Sequence, residues 1–379
     1  MRQKNNLNPQ QNMFSEAALY SGIGERIVSI DAVRGLAILM MVFSHGLHWF
    51  FTGRSHDVIS LFGVNSVGDM ATPFFYVISG AALYLSVLSR IRAQANFQEL
   101  LASYARRFGQ LFLVGVALSK TWGVLQAQAV SLFLVAAGFL LAGRYNNLRK
   151  SVKLVFAAGL VVLTVHYIAA GLPLTRFPAV FLKGPFPILA VLALNALGFC
   201  LGHRLKSRGL GLWTGLWGIA LTASGLVLHL WLQPIRRIDM SLAFMLLGMG
   251  MVMLLLYVFN FTLLQKSNPV ISLISVGKDA LFLFVAHYLV FFAPLYLTDL
   301  LNTFNRPMAV FQSGLLTLGI IRMAEWRQYN NDFTVYGIME WIFQLVLRPR
   351  SLRNAPWWLY LSGKFLQHKA GAERSMSEG

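Results

Sequence analysis

Arg34 and His45 stand eleven residues apart in an otherwise apolar stretch, residues 27–51, IVSIDAVRGLAILMMVFSHGLHWFF. At about 100° per residue, eleven positions make roughly three helical turns plus 20°. Both side chains therefore share one helix face, about 16 Å apart along the axis. A fixed cation then sits toward one end and a titratable base toward the other. Imidazole titrates near physiological pH and is the commonest general base, suited to taking a proton from an acceptor hydroxyl or amine. The plainer role for His45 is a hydrogen bond to a neighbouring helix. A charge at the centre of a spanning helix costs roughly 2.5–3.5 kcal/mol, so this face is expected to look into protein and not into lipid.

Other residues could join that chemistry. His56 lies in the polar segment that follows, FTGRSHDVISLFGVNSVGD, with Asp57 beside it and Asp69 downstream. Either carboxylate could orient the ring, and Asp69 also suits the cap of the helix it opens. His48 follows His45 at i+3, Gln126 is a polar insertion near the start of a later span, and His287 falls inside another. With Asp57 these three are candidate substrate contacts. Arg34, Arg106, Arg107 and Lys278 are candidate contacts for an anionic cofactor or co-substrate, because paired basic residues at a membrane surface suit phosphates as well as lipid headgroups. No phosphate-binding loop, Cys pair, serine-hydrolase elbow or zinc-type His spacing occurs, so no metal is expected.

The elements that must hold these residues are membrane helices. The chain has 379 residues, 56% of them hydrophobic and 12% charged, with a mean hydropathy of +0.60. Continuous apolar runs recur, which selects helices over the alternating strands of a barrel. Ten spans are expected near 28–51, 67–88, 105–119, 122–142, 152–171, 185–202, 211–231, 241–264, 279–298 and 308–323. The net charge of +18 does not point to nucleic acid, because the charges alternate between loops. With the amino terminus taken as cytoplasmic, 24 of the 32 Lys and Arg residues fall in cytoplasmic segments and 7 in outer loops. That bias follows the positive-inside rule and places both termini in the cytoplasm, with Arg34 toward the inside and His45 toward the outside. The expected organisation is a cytoplasmic segment 1–26, a membrane domain 27–323 and a basic tail 324–379 with interfacial amphipathic helices.

The motifs are similar to those of the integral-membrane acyltransferases. Arg34, ten residues, then His45 is the pattern of acyltransferase family three. SIDAVRGLA, DMATPFFYVISG, ARRFGQLFLVG, VLQAQAVSLFLV, GKDALFLFVAH and YGIMEW resemble, in order, stretches of the heparan-α-glucosaminide N-acetyltransferase branch. The resemblance implies transfer of an acyl group, usually acetyl, from cytoplasmic acyl-CoA to an acceptor across the membrane. In that branch an Asn occupies the position of His45 and the active-site His comes eleven residues later, which lands on His56. This chain departs from the branch in having His45, in a longer spacing from His56 to Asp69 and in lacking a W-N-G segment. The expected protein is an all-α, polytopic bundle of about ten membrane helices in a bacterial inner membrane. Its catalytic candidates are His45, His56 and Asp69, its co-substrate acetyl-CoA or another acyl-CoA, and its partners membrane lipid and a glycan or glycolipid acceptor, with a homodimer left open. The competing class is a transporter in which intramembrane His, Arg and Asp relay protons.

Overall fold

A computed structural model describes residues 27–52, 67–93, 96–119, 121–172, 181–232, 234–237, 239–261 and 266–329. These form helices joined by short turns and loops, with one parallel bridge between Phe51 and Phe304. In order they form α1 (Val28–Phe50), a 3-10 turn (Val67–Met70), α2 (Ala71–Arg92), α3 (Phe97–Leu118), α4 (Val124–Tyr145), α5 (Leu148–Gly171), α6 (Ile188–Arg208), α7 (Leu212–Trp231) and α8 (Leu242–Val258). After these come α9 (Asn268–Lys278), α10 (Ala280–His287), a π-helical turn (Tyr288–Phe292), α11 (Ala293–Leu297) and α12 (Arg306–Tyr329). Eight stretches among the described residues are long and apolar enough to cross a membrane. Two further expected spans are α3, whose first turns are charged, and α8, whose 17 residues reach only about 25 Å.

Three boundaries differ from the sequence expectation. The third span begins at Phe97, not near 105, because Asn96 accepts from the Glu99 amide and caps an amphipathic start that buries Leu100 and Tyr104. The ninth span is preceded by α9, an 11-residue helix opened by Pro269 and too short to declare itself by apolar length. The last helix continues through the polar WRQY run to Tyr329, where Arg327 is buried against Asp279 at 3.1 Å and over the Phe282 ring at 4.0 Å. The expected tail helices and the segment 1–26 lie outside the described residues.

The bundle is organised around α2 and α6, the most buried of the membrane-length helices. They cross at small residues: a Cβ on Gly80 would stand 2.1 Å from the Asn195 carbonyl oxygen, and one on Gly198 2.1 Å from that of Val77. Close backbone approach of this kind is how helices gain contact where burial from lipid supplies no hydrophobic drive. Gln128, Ser131 and Asn195 form a buried polar cluster beside this crossing, with the Asn195 amide donating to Ser131 Oγ at 2.9 Å and to Gln128 Oε1 at 3.2 Å. At the periphery α5 and α7 leave Leu154, Phe156, Val161, Ile168, Trp213 and Trp231 exposed, the composition of a lipid-facing surface.

The first helix packs along α9 and α10 in the same chain direction. At one end a Cβ on Gly277 would meet the Asp31 carbonyl oxygen at 1.8 Å, and one on Gly35 the Leu273 carbonyl oxygen at 1.9 Å. At the other end the chain just before α12 is tied to the end of α1. Asn302 donates its amide to the Trp49 carbonyl at 2.7 Å, Phe304 donates to Phe50 at 2.9 Å, and Thr52 donates back to Phe304 at 3.1 Å. These contacts fix the rotation of α1, and so the direction in which Arg34 and His45 point.

Candidate active site

The α1 face carrying Arg34 and His45 looks into protein along its length. Arg34 Nη1 lies 3.1 Å from Asp31 Oδ1 and donates to the Gly277 carbonyl at 3.3 Å. This cation therefore ties α1 to the end of α9. About three turns further along α1, the same face reaches a second imidazole at the end of α10: His45 Nδ1 is 2.9 Å from His287 Nε2, with the rings stacked at 5.2 Å.

The surroundings fix which nitrogen carries the proton. His287 is fully buried, and its Nδ1 lies 3.3 Å from the Leu283 carbonyl, which can only accept. His287 Nδ1 then bears the hydrogen and the neutral ring presents a lone pair at Nε2. His45 Nδ1 must donate into that lone pair, which leaves the His45 Nε2 lone pair as the basic site. His45 is half-buried, so of the two rings it is the one that is not fully enclosed. A base whose far nitrogen is held by an oriented acceptor is the arrangement that general-base and nucleophile-activating sites share.

An aromatic wall encloses the pair. Trp49 stacks on His287 at 5.6 Å and meets Phe292 at 5.1 Å, and Tyr288 packs on both imidazoles at 4.4 and 5.7 Å. Tyr288 and Phe292 bound the π-helical turn that follows His287 directly. A π turn widens the helix and turns the next residues relative to an α register, and such turns recur at functional sites.

The remaining candidates separate into groups. Asp69 is buried in the 3-10 turn, at the same end of the bundle as His45, and its Oδ1 accepts from Arg237 Nη1 at 3.0 Å. The helix that follows is not side-chain capped at its first turn. Gln126 is buried and donates to the Thr121 and Ser119 carbonyls, closing the turn between α3 and α4. His48 is exposed near the end of α1. Arg106, Arg107 and Lys278 are exposed, the first two in mid-α3 and the third at the end of α9. His56 and Asp57 lie outside the described residues. Thus His45 and His287 are brought together, Arg34 holds the same helix pair at its other end, and Asp69 is joined to Arg237, a residue that the sequence motifs do not single out. His166 is spent locally, its Nε2 within 3.1 Å of the Asp239 carbonyl.

Comparison with known proteins bears on the amino-terminal part of this arrangement. Residues 27–132, from α1 into α4, match the acyltransferase domain family. The chain is 29% identical to human heparan-alpha-glucosaminide N-acetyltransferase over 133 residues, which is 31% of this chain and 19% of that protein. The mouse heparan-alpha-glucosaminide N-acetyltransferase is likewise 29% identical over 128 residues, 29% of this chain and 19% of its own. The match thus spans about a fifth of the length of these curated relatives, and His287 lies outside the region that the family covers. Together with the helical membrane architecture, these likenesses support a multi-pass membrane protein of the acyltransferase domain superfamily.

Proposed function

We propose that this protein transfers an acyl group, acetyl in the simplest case, from acyl-CoA to a sugar hydroxyl or amine of a glycan or glycolipid. The observation that carries the reading is the 2.9 Å contact of His45 with His287, a base with a defined lone pair at the end of the helix where the family match begins. In the reaction His45 Nε2 takes the acceptor proton as the acceptor oxygen or nitrogen attacks the thioester carbonyl. The new C–O or C–N bond forms, the C–S bond breaks, and the departing CoA thiolate recovers the proton from His45. His287 holds the imidazole in the tautomer that can do this and accepts part of the positive charge's hydrogen bond as it develops. Arg106, Arg107 and Lys278 offer exposed cations for the CoA phosphates, on the side of the membrane that the charge bias makes cytoplasmic. The acceptor approaches from the opposite side, at the His45 end. Both termini are cytoplasmic in this arrangement, and the membrane is the cell membrane.

Purified protein in nanodiscs, incubated with labelled acetyl-CoA and a glycan mixture, tests the proposal through transfer of label and release of CoA thiol. Transfer should fall by about 10²–10⁴ in His45→Ala, the range of a lost general base. Transfer that survives in both His45→Ala and His56→Ala overturns the mechanism. A wild-type protein that does not bind acetyl-CoA at all favours the transporter class instead.

A further inference from the structure

The Asp69–Arg237 pair is not accounted for by acyl transfer as such. Arg237 stands in the segment between α7 and α8, and its guanidinium is anchored by one bond to the buried Asp69 carboxylate. About a third of the Arg237 side chain remains exposed. The guanidinium carbon lies 5.9 Å from the centre of the Phe186 ring, and Phe186 in turn accepts the Trp122 indole N–H at its carbonyl at 2.9 Å. The cation is thus built in from two directions, by a carboxylate and by an aromatic face whose own backbone is held from the α3–α4 turn.

Two hydrogen-bond donors in this neighbourhood are left over. The Arg237 Nε–H is buried and has no hydrogen-bond partner among the described residues. The Tyr76 hydroxyl, on a completely buried side chain of α2 about two turns beyond Asp69, also has none among the described residues. A buried donor without an acceptor is costly, so each of these calls for an acceptor that arrives from elsewhere. The turn that carries Asp69 packs on α1 beside His45: a Cβ on Gly68 would stand 2.0 Å from that of Ser44, the residue before His45. An acceptor-only group that meets Arg237 is therefore held near the base.

We propose that Arg237, anchored by Asp69 and assisted by the Tyr76 hydroxyl, is a specificity-determining residue that receives an anionic group of the acceptor, a carboxylate, phosphate or sulfate on the sugar. This rests on the acyltransferase reading for the identity of the acceptor as a sugar. Arg suits the task because its planar fork can keep Asp69 on one edge and offer its remaining N–H groups to an oxyanion. The adjacent Arg236 is the contrast: it is more exposed and pairs with Asp239 at 2.7 Å.

The test is calorimetric binding of glucose, glucuronate, glucose 6-phosphate and glucose 6-sulfate to the full-length protein in nanodiscs at fixed ionic strength, without acetyl-CoA. Wild type should bind at least one of the three anionic sugars more tightly than glucose, and the strongest of them names the anion. Arg237→Gln should reduce that preference about tenfold or more, the range of a lost charged hydrogen bond, while Arg236→Gln retains it. Should Arg237→Gln not fold, Tyr76→Phe removes an unpartnered hydroxyl from an unchanged ring and Arg237→Lys keeps the charge without the fork. Each should weaken the preference in a monodisperse, folded protein. Equal binding of glucose and the anionic sugars by wild type, or a preference unchanged in these variants, overturns the proposal. Because no acyl group is transferred in this measurement, its failure leaves the His45 chemistry standing. Conversely, retention of transfer in the His45 variants leaves the anion preference standing.

Discussion

At the scale of single residues, His45 and His287 differ in what each can lose. His45 supplies the lone pair, whereas His287 only fixes which nitrogen carries it. Replacing His287 by Phe keeps a ring against Trp49 and Tyr288 but removes the acceptor. The expected result is a fall in kcat of about 10²-fold with a KM close to wild type, since the lost group orients a base and does not bind substrate. Nitrogen NMR of the labelled imidazoles provides a second readout: His45 should show a single tautomer in wild type and a mixture in His287→Phe. The sequence singles out His45 through its spacing from Arg34, because helical periodicity operates within one segment. It offers His287 only as a separate intramembrane histidine, because the partners are 242 positions apart and no local pattern encodes a contact between two helices. Arg237 is harder still. Loop residues have no register, and an arginine in a loop looks like any other until a carboxylate is found against it.

At the scale of elements, the site depends on two helices crossing almost backbone to backbone. A methyl group on Gly277 would stand 1.8 Å from the Asp31 carbonyl oxygen, and backbone, unlike a flexible side chain, cannot step aside. Gly277→Ala should therefore separate α1 from α9 and destabilise the folded protein by about 1–3 kcal/mol, the usual cost of overpacking. A thermal unfolding series in detergent checks this. Gly138, whose Cβ would meet nothing within 4 Å, is the control and should tolerate alanine. The buried Asn195 cluster makes a related prediction. Asn195→Leu removes donors shared by Gln128, Ser131 and the Val191 carbonyl, and should cost about 1–2 kcal/mol by the same measurement. Apolar length identifies the helices themselves, as in α1, α2, α4 and α5, whose expected positions agree closely with those observed. It does not identify α9 or the π-helical turn, because an 11-residue helix is too short to span and a widened turn leaves no mark in residue type. The expected start of α3 was misplaced for the same kind of reason, since its first turns are amphipathic and carry charge.

At the scale of the molecule, many of the described basic side chains collect at one end of the bundle. Arg90 and Arg92 close α2, Arg144 closes α4, Lys150 and Lys153 open α5, and Lys206 and Arg208 close α6. That end is also where α1 carries Arg34, and the opposite end carries His45 and Asp69. Single cysteines introduced at Arg208 and at Asp299, in a Cys200→Ser background, should react oppositely with a membrane-impermeant maleimide on intact cells. The expected result is labelling at 299 only. Labelling at 208 alone would reverse the proposed orientation and with it the side from which the acceptor arrives.

The partner contacts of α1 also set an order of events during synthesis. This helix leaves the ribosome before those partners, since Gly277 and His287 follow more than 240 residues later, an interval of roughly 10–50 s at 5–20 residues per second. Throughout that interval Arg34 has one acceptor close at hand in its own helix, the Asp31 carboxylate at i−3. Partial neutralisation by this pair lowers the cost of a charge in a spanning helix, and the Gly277 carbonyl adds a second acceptor once α9 has arrived. A chain released before α9 should insert normally and transfer nothing.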